Sequence, residues 1–282
     1  MKPSFDDLKD KIAVITGGAG IIGSSMAESL ALLGTKIVIL DRDENKAVQL
    51  AKRIEQMTSI LCFGVGADVL DKASLEQALL KIHDCVGKID ILINAAGGNH
   101  PSATTALEFA ESSSENDWEN SFFGLEMDGF RKVFELNFMG TILPTMIFAK
   151  DMVERGKGTI LNISSMNSFR PLTRIPAYSA AKASINNFTQ WLAVHFAKTG
   201  VRVNAIAPGF FLTEQNRFLL LDEKTGELSK RGKKIVDATP TGKFGEASDL
   251  SGTAAWLLSD NSSFVTGIVV PVDGGFSAYS GV

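Results

Sequence analysis

The sequence predicts a doubly wound α/β fold: a single domain over residues 1–282, built on a mainly parallel seven-stranded sheet with helices on both faces. Three observations predict it. Short runs rich in β-branched residues recur along the chain, helix-length segments separate them, and no linker or change of composition divides the sequence.

The strand runs are KIAVIT (11–16), KIVIL (36–40), ILCFGV (60–65), DILIN (90–94), GTILNIS (158–164), VRVNAIA (201–207) and VTGIVVPV (265–272). Several are apolar almost throughout, as strands covered on both faces must be. Between them, SSMAESLALLG, DKASLEQALLKIHDCVG and SAAKASINNFTQWLAVHFAKTG carry apolar residues at helical spacing. Alternating βαβ units require right-handed crossovers, which distribute helices over both faces. Two connections exceed the roughly 2–6 residues usual in such folds. The first, 97–128, contains SSSEND and has room for a short helix; the second is 209–245. Both follow the carboxyl ends of strands, where open α/β sheets bind ligands, so they are expected to form a substrate pocket and its lid.

Composition excludes several functions. A hydrophobic content of 45% with 21% charged residues is that of a globular protein with a substantial core. A net charge of −4 provides no basic field for nucleic acid. The one concentrated positive run, Lys230-Arg231-Gly232-Lys233-Lys234, reads as a solvated loop or helix face. MKPSFDDLKDK is too polar for a signal peptide, and no apolar run reaches the roughly 20 residues that span a bilayer, so no membrane association is expected. Cys62 and Cys85 form neither a metal-type pair nor a disulfide framework, and read as buried or half-buried reduced thiols of a cytoplasmic protein. The three histidines are isolated, so no metal is expected. His83 and His195 fall within helical patterns and read as packing, interface or surface residues.

Directly after the first strand comes Thr16-Gly17-Gly18-Ala19-Gly20-Ile21-Ile22-Gly23, followed by a helical segment. Gly18, Gly20 and Gly23 match GxGxxG in the strand–turn–helix context of a Rossmann-like dinucleotide site. Glycine permits the turn and lets the backbone approach a pyrophosphate at the positive end of the helix. Asp41 ends the second strand, 18 positions beyond Gly23. Its carboxylate can accept ribose hydroxyls and would repel a 2′-phosphate, which favours NAD over NADP, although the adjacent Arg42 offers such a phosphate a guanidinium. Alternatively, Asp41 caps the helix that begins near Asp43. Asp68-Val69 ends the third strand, and Asn94-Ala95-Ala96-Gly97 ends the fourth. In series, these turns set small and polar residues along one sheet edge, where an extended dinucleotide would lie.

Tyr178 and Lys182 are four apart near the start of a helix and so share a face; Ser165 ends the preceding strand. Carbonyl reduction needs a proton donor beside the oxygen. A tyrosine pKa near 10 needs help at neutral pH, which a neighbouring ammonium supplies by favouring the phenolate. A serine hydroxyl can hydrogen-bond the oxygen as charge develops on it. By residue type alone, Asn137 reads as a helix-bending polar residue or a functional one, and Thr213 as a loop cap or a cofactor contact.

Together these motifs resemble the short-chain dehydrogenase/reductase family over nearly the whole sequence: the turn at 16–23, Asp68, NAAG at 94–97, Asn137, Ser165, the Tyr178/Lys182 pair, and Pro208-Gly209 with Thr213. The resemblance implies an NAD-dependent oxidoreductase in which Tyr178 is the general acid/base and Ser165 positions and polarises the carbonyl. It implies that Lys182 contacts the nicotinamide ribose and lowers the tyrosine pKa, that Asn137 holds a water in the proton relay, and that Thr213 meets the carboxamide. Gly17, Gly18, Gly20, Ile22, Gly23, Asp41, Arg42, Asp68, Val69, Asn94, Ala95, Ala96, Gly97, Tyr178, Lys182, Pro208, Gly209 and Thr213 are the cofactor residues so implied. One departure exists: the family's TGxxxGxG has glycine where this sequence has Ile21, with Gly20 one place earlier.

Further segments, GGNHP (97–101), SSMNSFRPLTRIPAYSAAKA (164–183), APGFFLTEQNR (207–217) and DGGFSAYSGV (273–282), resemble the D-mannonate oxidoreductases within that family, also called fructuronate reductases. That resemblance implies interconversion of D-mannonate and D-fructuronate. A sugar acid needs a cation for its carboxylate, for which Arg170, Arg174 and Arg217 are candidates, and hydrogen-bonding groups for its hydroxyls, for which Asn99, His100, Asn167, Gln215 and Asn216 are candidates. The alternatives are a dehydrogenase of another polyol or a keto-gluconate, a 3-oxoacyl reductase, and, outside enzymes, a nucleotide-binding regulator. Asp41 and the acidic net charge count against an acyl-carrier substrate, and the intact Ser165, Tyr178 and Lys182 against a regulator. The apolar helical stretches at 130–153 and 177–197 are candidates for a subunit interface or an ordinary core, and the resemblance implies a homo-oligomer, a dimer or tetramer, through such helices.

Overall fold

A computed structural model describes residues 4–110, 117–212, 217–222 and 225–281. All seven expected strands form: β1 (Ile12–Thr16), β2 (Lys36–Asp41), β3 (Cys62–Gly66), β4 (Ile91–Asn94), β5 (Gly158–Ile163), β6 (Val201–Pro208) and β7 (Val269–Val272). They make one sheet in the order β3-β2-β1-β4-β5-β6-β7, every pairing parallel. The sheet grows outward from β1 in both directions, so the switch point lies between β1 and β4, and their carboxyl ends open a crevice.

The helices are α1 (Ile21–Leu32), α2 (Glu44–Thr58), α3 (Lys72–Cys85), α4 (Met127–Phe134), α5 (Gly140–Arg155), α6 (Pro176–His195), α7 (Arg217–Leu220), α8 (Lys230–Asp237) and α9 (Ser251–Leu258). Period-two alternation sends strand side chains to opposite faces, and in this sheet both faces are apolar. Ala13 and Ile15 of β1 join Ile37, Ile39 and Ile93 beneath α1, α2 and α9. Val14 joins Val38, Leu40, Leu92 and Ile160 beneath α3, α5 and α6. Each such side chain, withdrawn fully from water, contributes roughly 1.5–3 kcal/mol, enough to fix strand register.

Local chemistry sets the helix ends. Asp43 caps α2 by accepting the Lys46 N–H at 3.1 Å, and Asp71 caps α3 by accepting that of Ala73 at 2.9 Å. Helix α1 has no side-chain cap, and its first N–H groups face the crevice end of β1. A buried carboxylate, Asp151 of α5, accepts the Ile89 N–H at 3.0 Å, Lys88 at 3.0 Å and His83 at 2.7 Å, joining α3, the entry to β4 and α5. Burial pushes that carboxyl up, but these partners outweigh it and hold it below the ordinary range.

The long connections carry structure of their own. The first contains single helical turns at Pro101–Ala103 and Phe122–Gly124 before α4, and the second contains α7 and α8. Cys62 is buried as expected, but Cys85 is exposed, because it ends α3 on the turn that faces water. No helix among the described residues is long and apolar enough to cross a membrane, and none of their acidic, histidine and cysteine side chains cluster as a metal site.

Candidate active site

The glycine-rich turn reaches the strand–turn–helix geometry despite Ile21, because α1 begins at Ile21 with Gly20 just before it. Gly17 carries the one left-handed backbone of the turn, φ +58°, and a β-carbon there would lie 2.8 Å from the Ala96 Cα. Gly18 and Gly23 are close-packed against the Ile15 and Gly17 carbonyls. At Gly20 the backbone is ordinary (φ −74°), and a β-carbon would meet only the Gly17 carbonyl, at 3.1 Å. Glycine there keeps the space over the uncapped helix start clear, and orphan N–H groups beside open space are what a pyrophosphate requires. Ile22 turns its side chain to the core, so its backbone is the part available.

Asp41 is tied to this turn: one carboxylate oxygen accepts the Ala19 N–H at 3.1 Å and the other the Asp43 N–H at 3.1 Å. The cap of α2 is Asp43, which leaves Asp41's remaining lone pairs at the crevice. Arg42 beside it is exposed. Asp68 closes its own turn by accepting the Leu70 N–H at 2.9 Å, and Val69 is buried near Gly140. Asn94 is paired across the sheet with Thr16 and with Asn162. The Thr16 hydroxyl accepts the Ala95 N–H at 3.2 Å and so holds the NAAG turn, a role the sequence reading missed. Across the crevice Pro208 ends β6, and Gly209 donates to the Val272 carbonyl at 2.9 Å, where a β-carbon would collide with Asp273. Thr213, Gln215 and Asn216 lie outside the described residues.

The structure brings together Asn137, Ser165, Tyr178 and Lys182. Pro176 opens α6, placing Tyr178 and Lys182 one turn apart on its first face, and Ser165 lies two residues past the end of β5. Ser165 stands beside the Tyr178 phenol, where its hydroxyl favours the phenolate. Lys182 is buried, its Nζ donates to the Ile163 carbonyl at 2.8 Å and lies 5.6 Å from the Tyr178 ring centre. Asn137 sits in a wide π-type turn, Glu135–Met139, between α4 and α5. Such turns interrupt the helical ladder and often mark functional positions. Its amide donates to the Gly98 and Val133 carbonyls at 2.7 and 2.8 Å and accepts the Gly98 N–H at 3.2 Å, so it both bends the helix and grips the NAAG turn. A side chain at Gly97 would press on both Asn137 and Lys182.

Burial dominates the electrostatics of the pair. Burial pushes the Tyr178 phenol up, opposed by the Ser165 hydrogen bond, and burial pulls Lys182 down to about 7. The ammonium that the resemblance sets beside the phenol is itself desolvated, so burial acts on both groups. The arrangement holds a protonated phenol beside a serine hydroxyl, with an amine that exchanges protons near neutrality.

The substrate candidates divide. Asn167 is buried two residues after Ser165, and its Oδ1 has no hydrogen-bond partner among the described residues. Arg174 is half-buried. Asn99 and His100 also brace their own turn, Asn99 donating to Thr104 at 2.8 Å and His100 pairing with Ser102 at 2.9 Å. Arg170 is exposed and donates to the Tyr279 carbonyl at 3.2 Å; Arg217 is exposed.

The family model for the short-chain dehydrogenases matches residues 11–224. The protein belongs to that family. It is an oxidoreductase with the family's fold. The uncharacterized oxidoreductase UxuB of Bacillus subtilis is 50% identical to this short-chain dehydrogenase over 283 residues, covering 100% of both proteins. A crystal structure of a provisionally assigned D-mannonate oxidoreductase from Haemophilus influenza, with bound NAD, superposes with a TM-score of 0.92 at 47% identity over 98% of each protein. The gluconate 5-dehydrogenase of Burkholderia cenocepacia, in complex with NADP and tartrate, superposes with a TM-score of 0.82 at 31% identity, covering 98% of this protein and 99% of that one.

Proposed function

We propose that this short-chain dehydrogenase uses NAD(H) to interconvert D-mannonate and D-fructuronate. The observation that carries the chemistry is the convergence of Ser165, Tyr178, Lys182 and Asn137 beside the crevice of a dinucleotide fold. The substrate reading is supported by likeness over almost the whole length to the Haemophilus protein, and by the unpartnered Asn167 acceptor beside Ser165, which suits a substrate hydroxyl.

The uncapped start of α1, with Gly17, Gly18, Gly20 and Gly23, would hold the pyrophosphate, and Asp41 the adenosine ribose. Bound there, the nicotinamide supplies the hydride exchanged with substrate carbon. In the reducing direction Tyr178 delivers its proton to the carbonyl oxygen, and Ser165 hydrogen-bonds that oxygen as charge grows on it. Lys182, with a pKa of about 7, takes up and releases protons beside the phenol, and Asn137 carries the relay onward through a held water. Asp41's carboxylate disfavours a 2′-phosphate, so NAD is the cofactor.

The protein works as a homo-oligomer in the cytoplasm. Support for the first is an apolar groove of about 500 Å³ between α5 and α6, where Met146 and Trp191 are more than half exposed. Support for the second is the unpaired state of Cys62 and Cys85. Light scattering tests the oligomer, which a monomer in solution would refute.

A second sugar-acid reading, a gluconate-type substrate, is favoured by the Burkholderia neighbour. NADH oxidation with D-fructuronate beside 5-ketogluconate separates the two. A higher kcat/KM for D-fructuronate is expected; equal or lower values would remove the assignment.

A further inference from the structure

The basic run on α8 is exposed, and one of its charges is paired. Lys234 bonds the carboxylate of Glu108, which belongs to the connection after β4, whereas α8 belongs to the connection after β6. The contact therefore joins the two long segments at the carboxyl edge of the sheet. Arg231, one turn earlier on α8, and Arg174 also act on Glu108 and, behind the Lys234 bond, help hold its carboxyl below the ordinary range. Lys234 thus pairs with this carboxylate, and the charges of Arg174 and Arg231 reach it.

Arg174 is the deepest of the three. It is half-buried whereas Arg231 and Lys234 are exposed, and its backbone carbonyl accepts the Thr105 N–H at 2.9 Å. It stands four residues before Tyr178, and the neighbouring turn packs Ala103 against Ala177, Ala181 and Tyr178. Its Nε is buried without a hydrogen-bond partner among the described residues. A buried guanidinium N–H left unpaired costs free energy, and a carboxylate is the acceptor that suits Nε together with a terminal nitrogen. Arg170 and Arg217 do not have this character: the first is bonded to the carboxyl-terminal segment and both are exposed.

We propose that Arg174 binds the carboxylate of the substrate, and that Arg231 and Lys234 form a cationic rim that draws the anion towards it. This rests on the sugar-acid reading above. It makes Arg174 the residue that separates acids from neutral sugars, and it gives the α8 run a role in capture.

The test compares kcat/KM for the best-used sugar acid of a panel, D-fructuronate and 5-ketogluconate included, with that for D-fructose as an uncharged counterpart. The intact protein prefers the acid. Arg174→Gln lowers the acid-to-neutral ratio about 10- to 100-fold, mainly through KM, and Arg174→Lys keeps part of it. Arg231→Gln with Lys234→Gln lowers the ratio a few-fold and flattens its dependence on salt. NADH binding, followed by fluorescence, verifies that each variant is folded; if Arg174→Gln is not, the decision passes to Arg174→Lys, whose ratio must also fall. An undiminished ratio in a folded Arg174 variant overturns this inference while the sugar-acid reading stands. A wild-type protein with no preference for acids overturns the sugar-acid reading itself.

Discussion

The two walls of the crevice are built from different bonds. The wall proposed for catalysis consists of side chains fixed from behind by buried partners. Asn94 donates to Asn162 and Thr145, Asn162 donates to the Thr189 hydroxyl, each at 2.9 Å, and Thr145 and Thr141 run back along α5 towards Asn137. The wall proposed for substrate consists of loop side chains that bond mostly to their own turn, as Asn99 does to Thr104, or across water-exposed gaps, as Lys234 does to Glu108. Buried hydrogen bonds in a low dielectric hold geometry; exposed ones exchange with water at little cost. One wall is therefore set for a fixed reaction, and the other can differ between relatives of one family without disturbing the chemistry.

The largest effect expected from this contrast is at Tyr178. Tyr178→Phe keeps the ring and the NADH site but removes the proton donor, so kcat falls on the order of 10²- to 10⁴-fold with NADH binding retained. An unaltered kcat would break the assignment of the catalytic wall.

The pH dependence is the next largest. Burial raises the Tyr178 phenol, so the donor for reduction is present at neutral pH, whereas oxidation needs the phenolate. Oxidation kcat/KM should therefore climb with pH, by up to about tenfold per unit, and reduction should not. For Lys182 the folded pKa of about 7 lies below the unfolded value. Between those two values the unfolded state binds more protons, so this residue's contribution to stability rises with pH there and is least favourable below about 7. Thermal melting of Lys182→Met against the parent should show the variant gaining more at about pH 6 than at about pH 9. An equal difference at both would mean that the ammonium is not desolvated.

These particulars show what the sequence could reveal. Strands with apolar residues on both faces announce themselves, and the Tyr178/Lys182 spacing and the glycine turn survive translation into structure because they are local. Acidity is not local. The burial that shifts Tyr178 and Lys182 depends on how deeply α6 sits against β5, which no spacing reports. The two faces of the Lys230–Lys234 run separate only once Glu108 is brought to α8 from across the crevice. Asn137, Thr141 and Thr145 did leave a signal, a polar stripe at intervals of four in a stretch that otherwise reads as apolar. Asn99 and His100 have the chemistry that a sugar needs, and one nitrogen of each is engaged within their own turn.

At the cofactor end, Asp41→Ala tests the boundary between the walls. Its carboxylate is anchored by Ala19 and Asp43 like a catalytic-wall residue, yet it faces the variable part of a ligand. The NADH-over-NADPH preference in kcat/KM should drop about 10- to 100-fold, the worth of a charged hydrogen bond and its repulsion of phosphate. A preference that survives the substitution would move the discrimination elsewhere.

The smallest effects sharpen the contrast most directly, because they compare one hydroxyl or amide on each wall. Thr189 is fully buried and receives the Asn162 amide. Thr189→Val removes that acceptor while keeping the shape, leaving a buried donor unpaired, and should cost about 1–3 kcal/mol of unfolding free energy. Thr189→Ser, which retains the oxygen, should recover much of it. Asn99→Ala, on the exposed turn, should lie within about 0.5 kcal/mol of the parent. Since α6 also carries Tyr178 and Lys182, Thr189→Val should lower kcat more than KM. Chemical denaturation and steady-state kinetics on the three variants decide it. If Asn99→Ala costs as much as Thr189→Val, the substrate wall is as firmly built as the catalytic one, and the freedom claimed for it disappears.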